Sequence, residues 1–199
     1  MIASLSRGIL SIFGWKTSIS VALADKCVLI GAPHTTNWDF PITLLGLSGM
    51  GVKFNWAAKH TLFFWPVGIL MKALGGTPVD RRQGASFLDG VLMRFEAQEK
   101  LVLAIAPEGT RAKSPYWKAG FYMIAHRADV PIGLGYIDYA RKVIGIEKIM
   151  HVSGDMQGDL AIIREYYRQR VGKYPQNQGD ILIQEKAATT QHEQAMERE

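Results

Sequence analysis

The chain has 199 residues, of which 48% are hydrophobic and 21% charged, a composition that excludes a disordered segment and fits one globular domain. Lys and Arg outnumber Asp and Glu by 23 to 18, and the net charge of +5 favours anionic partners: phosphates, anionic lipid headgroups or nucleic acid. The single cysteine, Cys27, excludes an intramolecular disulfide and a cysteine-based metal site, and it is compatible with a reducing cytoplasm.

Residues 1–20 are predicted to form an N-terminal amphipathic segment. Their apolar side chains recur at roughly helical spacing, as Ile2, Leu5, Ile9, Ile12 and Phe13. The run is too short, and too often interrupted by Ser and Gly, to cross a bilayer, which takes about 20 apolar residues. We therefore expect a helix that either packs on the domain or lies in a membrane interface.

Two continuous apolar runs, at 28–30 and 101–106, have the length of strands, are bounded by Gly or Pro and open into polar residues. Such runs indicate strands that are covered on both faces, as in an α/β sheet. Further strands are predicted at 131–139 and 142–146, and helices at 85–98, 118–128 and 158–171.

Helices that alternate with strands predict a single α/β domain over residues 21–175, with a mixed, mostly parallel sheet flanked by helices. The active site is expected at the carboxyl ends of the strands, where the loops of such sheets converge. Residues 176–199, rich in Gln and Glu, are predicted to form a polar C-terminal tail.

His34 follows the first apolar run, and Asp39 lies five residues later. In a regular helix that spacing would set the two side chains ~140° apart, but across a strand-to-helix turn they can face each other. Pro41 suits the first turn of a helix that begins near residues 37–40. A carboxylate on one ring nitrogen leaves the other free as a base, so we predict a His–Asp pair. A loop histidine beside a capping aspartate is the alternative.

The tetrapeptide Glu108-Gly109-Thr110-Arg111 follows the second apolar run. Backbone N–H groups, a hydroxyl and a guanidinium can converge in such a turn, which favours an anion site. A simple turn with a solvated arginine is the alternative.

The segment 59–68 is aromatic and apolar, and is a candidate surface for a lipid or an acyl chain, with core packing as the alternative. After it, Gly75-Gly76 precede Asp80-Arg81-Arg82. A loop after a double glycine can bring Arg81 close to a ligand; a solvated charge run is the alternative.

Together, these motifs resemble those of the glycerolipid acyltransferases that acylate lysophosphatidic acid and related acceptors. Four motifs occur in the family's order over roughly residues 28 to 135: His34 with Asp39, Gly76 through Asp80-Arg81, Pro107 through Arg111, and Val130-Pro131-Ile132. Lys59, Pro66 and Gly68 also match the lead-in to the family's second block.

The resemblance implies an O-acyltransferase in which His34, oriented by Asp39, deprotonates a lysophosphatidic acid-like acceptor that attacks an acyl thioester. Arg81 and Arg111 would hold the acceptor phosphate. The substrate-binding set would be Lys59, Arg81, Glu108, Gly109, Thr110 and Arg111, and the residues that support the acyl chain or the motifs would be Gly76, Asp80 and Pro131. The donor would be acyl-CoA or acyl-carrier protein, and neither a metal nor a tightly bound cofactor is expected.

The expected location is the cytoplasm, peripheral at the membrane surface. Thr77-Pro78 and Gly133-Leu134 depart from the family pattern in parts associated with the acceptor and the acyl chain, so a different lyso-lipid acceptor, such as a lyso-aminolipid, is an alternative. An acyl thioester hydrolase and a basic nucleic-acid or membrane-binding module are further alternatives. The aromatic residues cluster with aliphatic ones rather than with Lys and Arg, so no nucleic-acid partner is expected.

Overall fold

Six α-helices and seven β-strands form the computed structural model, which describes residues 2–79 and 84–183. The helices are α1 (Ile2–Ile12), α2 (Asp39–Gly49), α3 (Val67–Ala73), α4 (Gly84–Ala97), α5 (Gly120–Arg127) and α6 (Met156–Tyr167). The strands are β1 (Lys16–Ile19), β2 (Lys26–Ala32), β3 (Asn55–Lys59), β4 (Gly76–Val79), β5 (Leu101–Ile105), β6 (Ile132–Asp138) and β7 (Val143–Met150).

The strands form one sheet in the order β1-β7-β6-β2-β5-β3-β4. Strands β6, β2, β5, β3 and β4 run parallel, β7 is antiparallel to β6, and β1 is parallel to β7. The predicted α/β fold with a mixed, mostly parallel sheet flanked by helices is thereby confirmed.

The four strands predicted from apolar runs are β2, β5, β6 and β7, all of which lie inside the sheet. The pattern missed β1, β3 and β4, which lie at or next to an edge, because such strands are not covered on both faces and lack a continuous apolar run. Residues 16–19, grouped by sequence with the N-terminal segment, form edge strand β1 of the same sheet.

Helices α4, α5 and α6 cover one face of the sheet and enclose the larger core. Val28, Ile30 and Ala32, at alternate positions of β2, point into this core and pack with Phe95 of α4 and Phe121 of α5. All five side chains are buried. The alternation places the residues between them on the opposite face.

Helix α2 covers that opposite face, and α1 packs on α2. Gly46 allows α2 to approach the sheet closely, because a Cβ there would lie 2.5 Å from Cδ1 and 2.7 Å from Cγ2 of Ile144 on β7. The close contact holds α2 against the sheet, with its first residue, Asp39, just beyond the carboxyl end of β2. No helix in the described parts of the chain is both long and apolar enough to cross a membrane.

The chain after α6 lies against the domain. Gln178 accepts a hydrogen bond of 2.8 Å from the N–H of Gly172, and Ile183 forms a bridge with Trp117. The first part of the predicted C-terminal tail is therefore attached to the domain, and residues 184–199 lie outside the described residues.

Candidate active site

Two neighbouring parallel strands bring the predicted motifs together. Ile30 of β2 is in register with Ile105 of β5, and the chain continues from them to His34 and to Glu108. The backbone N–H of His34 donates a hydrogen bond of 2.8 Å to Oε1 of Glu108. The first and third motifs therefore meet at the carboxyl ends of the strands, where sites of α/β sheets form.

His34 and Asp39 face each other across the turn between β2 and α2. Nδ1 of His34 lies 3.0 Å from Oδ2 of Asp39, and the same oxygen accepts hydrogen bonds from the backbone N–H groups of Thr35, at 2.8 Å, and Thr36, at 3.0 Å. Helix α2 begins at Asp39, within the predicted range. The tight turn, and not a regular helix, is what makes a five-residue spacing bring the pair together.

The exposure of the pair differs between its members. The Asp39 side chain is 3% exposed and the His34 side chain 23% exposed. Nε2 of His34 makes no hydrogen bond with any residue in the described parts of the chain. The tautomer that donates from Nδ1 to Asp39 therefore leaves the Nε2 lone pair accessible, which is the arrangement that a general base requires.

Tyr139, which the sequence did not single out, completes the surroundings of Asp39. It follows the carboxyl end of β6, the other neighbour of β2, and its hydroxyl donates a hydrogen bond of 2.7 Å to Oδ1 of Asp39. Burial, and then the hydrogen bond to Asp39, raise the pKa of Tyr139 far above its usual range, so the phenol is protonated and acts as a donor.

The segment 171–174 supports the turn that carries the His34–Asp39 dyad. Its Val171 carbonyl accepts a hydrogen bond of 2.8 Å from the N–H of Tyr139, and its Tyr174 N–H donates one of 3.2 Å to Oγ1 of Thr35. Gly172 fits closely here, since a Cβ would lie 2.8 Å from Oγ1 of Thr35. No sequence motif marks this segment, because its role depends on where the chain returns after α6.

Glu108 is buried behind the dyad. Desolvation raises its pKa to about 7, although the hydrogen bond from His34 acts in the opposite direction. The residue also borders a cavity of about 620 Å³ that is lined by Ala32 and Pro33 of β2 and its turn, by α6 and by residues 178–182. Glu108 therefore connects the dyad loop with a cavity on the α6 side of the sheet.

The other members of the third motif lie in the loop after Glu108. Gly109 has a φ of +67°, a backbone conformation that favours glycine. Oγ1 of Thr110 accepts a hydrogen bond from the N–H of Ala112 at 3.3 Å. The guanidinium of Arg111 is exposed and forms no ion pair within the described chain. Arg111 is thus free to bind an anion.

Gly76 and Pro131 do not reach the dyad. Pro131 precedes β6, and its carbonyl accepts a hydrogen bond from the N–H of Val28, at the amino end of the parallel strands. Gly76 begins β4, where a Cβ would lie 2.8 Å from Cζ2 of Trp56. These contacts lie within the sheet, and the predicted supporting role of both residues stays a prediction.

Strand β3, next to β5, and the edge strand β4 beyond it lead toward the same carboxyl-end edge. Lys59 ends β3 and is in register with Val79, which ends β4. The Lys59 side chain and the predicted site residues Asp80 and Arg81 lie outside the part of the chain that the structure describes. Their roles therefore stay predictions.

The sequence around this site matches a known protein family. A sequence model named Acyltransferase matches residues 18–133, more than half of the chain. The chain belongs to the acyltransferase family. The resemblance to glycerolipid acyltransferases that the motifs predicted is confirmed by this match, which contains His34, Asp39 and the Glu108 loop.

A solved structure supports the same fold for this acyltransferase. The chain is similar to the crystal structure of the 1-acyl-sn-glycerophosphate (LPA) acyltransferase PlsC from Thermotoga maritima, with a TM-score of 0.56 and 15% sequence identity. The similarity covers 86% of this chain and 80% of that chain. At this identity the likeness concerns the fold alone. A search by sequence among curated proteins gave no match.

The substitution Glu108→Gln is expected to change how the stability of the acyltransferase depends on pH. The amide oxygen of the introduced glutamine can still accept the hydrogen bond from the His34 N–H, but the glutamine side chain cannot ionise. The pKa of Glu108 rises from 4.5 to about 7 on folding. Between these pH values Glu108 is protonated in the folded wild type and ionised in the unfolded chain, so the wild type loses stability as the pH increases. Relative to the wild type, the variant should gain roughly 2–4 kcal/mol of unfolding free energy between pH 4.5 and 7.5.

Urea unfolding at several pH values measures this difference. A gap between the two proteins that stays constant over the whole window would contradict the buried, proton-binding state of Glu108.

Proposed function

We propose that this acyltransferase moves a fatty acyl group from an acyl thioester to the hydroxyl of a lysophosphatidic acid-like lipid. The donor is acyl-CoA or acyl-carrier protein, and the reaction calls for no metal or tightly bound cofactor. The observation that carries the proposal is the pair of His34 and Asp39, 3.0 Å apart, in a family of acyltransferases.

In the proposed reaction His34 is the general base. Nε2 takes the proton of the acceptor hydroxyl while the hydroxyl oxygen attacks the thioester carbonyl carbon, and Asp39 stabilises the imidazolium that forms. Collapse of the tetrahedral intermediate breaks the C–S bond, and the sulfur leaves with the electron pair. The proton on His34 then passes to the thiolate. An ester and a free thiol are released, and the imidazole is neutral again.

The charge of the third motif supports an anionic acceptor. Arg111 lies three residues beyond Glu108, whose carboxylate accepts a hydrogen bond from the His34 N–H. The Arg111 guanidinium has no ion-pair partner among the residues described. A guanidinium binds phosphate oxygens in a bidentate, charge-assisted manner. We assign the acceptor phosphate to Arg111 and, by resemblance, to Arg81. The similar Thermotoga maritima enzyme is named for an acceptor of this class.

Exposed apolar side chains support peripheral contact with a membrane. They occur on α1 and directly after it, as Ile2, Leu5, Ile12 and Phe13, and around α3, as Phe64, Trp65, Ile69, Leu70 and Leu74. Both groups belong to the α2 side of the sheet, because α1 packs on α2 and Phe40 of α2 contacts Trp56, which stacks on Phe63. We propose that this side faces the cytoplasmic surface of a membrane, where lipid substrates are found.

Product analysis separates this function from its alternatives. The protein is incubated with acyl-CoA and a mixed pool of lysolipids, and the products are read by mass spectrometry. Diacylated phosphatidic acid supports the proposal, and acylation of a lyso-aminolipid alone would change the acceptor. Free fatty acid released at the same rate without any lysolipid would identify a hydrolase.

His34→Ala should reduce kcat/KM for acyl transfer by ~10²–10⁴-fold, because the proposed general base for the hydroxyl proton is lost. Thermal unfolding should show that the variant remains folded. His126→Ala, on the exposed side of α5, is the matched control and should keep wild-type activity. Near-normal turnover by His34→Ala would exclude His34 as the base.

Arg111→Ala should raise KM for lysophosphatidic acid by roughly tenfold or more, because a charge-assisted contact with the phosphate is lost. The rate with an uncharged monoacylglycerol should change little. Arg127→Ala removes an equal charge from α5 and serves as the control. Equal losses with charged and uncharged acceptors would show that Arg111 does not recognise phosphate.

Trp65→Ser should weaken binding to vesicles that contain anionic lipid by roughly tenfold, because burial of a large apolar side chain in the interface is worth ~1.5–3 kcal/mol. Trp65 is 82% exposed. Met93→Ser is the control, since Met93 is 68% exposed but lies on α4, on the opposite side of the sheet. Co-sedimentation measures both. Equal binding by the two variants would contradict the proposed membrane-facing side.

A further inference from the structure

We propose that Tyr139 is a positioning residue of the dyad, which orients the Asp39 carboxylate and limits how strongly that carboxylate holds a proton on His34. The inference deepens the proposed function and rests on His34 being the base. Nothing in the motifs points to Tyr139, which enters through the geometry of the sheet alone.

The two oxygens of Asp39 have different surroundings. Oδ2 lies within hydrogen-bond distance of His34 Nδ1 and of the backbone N–H groups of Thr35 and Thr36. Oδ1 accepts a hydrogen bond from Tyr139 and from no other residue in the described chain. The Tyr139 hydroxyl therefore acts with the three donors to Oδ2 in fixing the rotation of the carboxylate about its Cβ–Cγ bond. Its loss would leave Oδ1 as a buried acceptor without a partner.

The Tyr139 hydroxyl is itself held from several directions. The ring packs edge-on against Trp15, with centroids 4.9 Å apart and an interplanar angle of 90°. The backbone N–H of Tyr139 is bonded to the carbonyl of Val171, and the residue directly follows β6. The donor is thus placed by the fold before any substrate binds, which is what a positioning residue requires.

The hydrogen bond from Tyr139 also changes the electrostatic effect of the Asp39 carboxylate on the His34 ring. A neutral donor stabilises the ionised carboxylate and reduces the negative potential that Asp39 exerts on the ring of His34. Among the described residues, Glu108 faces the dyad through the His34 N–H, and Tyr174 interacts electrostatically with Tyr139. Without the Tyr139 hydroxyl, Asp39 should hold a proton on His34 to higher pH.

A tyrosine elsewhere in the fold provides a matched control. The hydroxyl of Tyr122 on α5 donates a hydrogen bond of 2.8 Å to Oδ2 of Asp159, and both residues are buried on the α6 side of the sheet. Tyr122→Phe removes a similar hydrogen bond from a carboxylate that has no contact with the dyad. A purely structural role for Tyr139 predicts the same behaviour for both variants.

The test compares the wild type, Tyr139→Phe and Tyr122→Phe by NMR titration of the His34 imidazole and by the pH profile of kcat/KM. In Tyr139→Phe we expect the titration midpoint of His34, and the acid limb of the profile, to move up by roughly 0.5–1 pH unit. The plateau value of kcat should fall by roughly 3–10-fold, because the carboxylate loses one of the four donors that orient it. Tyr122→Phe should change neither the midpoint nor the limb.

An unshifted His34 midpoint in Tyr139→Phe, or an equal shift in Tyr122→Phe, would overturn the inference. If Tyr139→Phe does not fold, Trp15→Leu is the second test. It keeps the Tyr139 hydroxyl but removes the packing against the Tyr139 ring, so we expect a smaller upward shift of the His34 midpoint. The NMR titration requires no turnover. An active His34→Ala variant would therefore refute the proposed function separately from this inference.

Discussion

The buried carboxylate of Asp39 is the group on which the candidate site depends. The Asp39 side chain is 3% exposed, and a buried charge without partners costs several kcal/mol, so the fold has to bring donors to it. His34 and the backbone N–H groups of the next two residues are the donors to Oδ2, and the Tyr139 hydroxyl is the donor to Oδ1. The turn after β2, the start of α2 and the end of β6 are thereby joined at one charge. A displacement of any of them would expose or orphan that charge.

The order of the sheet explains why residues 74 and 100 positions apart in sequence meet there. Strand β2 lies between β5 and β6, and all three are parallel, so the residues that follow them are neighbours. The apolar runs predict these strands because both of their faces are covered. They do not predict the strand order, since several orders would bury the same runs equally well. The short edge strands β1 (KTSI) and β4 (GTPV) are not predicted, because neither is an apolar run.

The candidate site is predictable to the extent that its contacts are local. His34 and Asp39 are separated by a single turn, so their spacing and the position of Pro41 suffice to suggest that they meet. Glu108 is recognisable as part of a motif, but its hydrogen bond to the backbone of His34 depends on the pairing of β2 with β5. Tyr139 gives no signal at all, because a tyrosine after a strand is common and only the register of β6 makes it a partner of Asp39.

Two carboxyl groups lie near one imidazole, and the fold treats them in opposite ways. Among the described residues, Asp39 is within hydrogen-bond distance of four donors, whereas Glu108 accepts from the His34 N–H alone. The pKa of Glu108 rises to about 7 because burial outweighs that bond. Near neutral pH a large share of Glu108 is therefore uncharged, and the charge beside the ring is concentrated on Asp39. The sparse hydrogen bonding of Glu108 thus leaves Asp39 as the charged partner of the ring, and Nε2 on the other side of the ring is open to an acceptor hydroxyl.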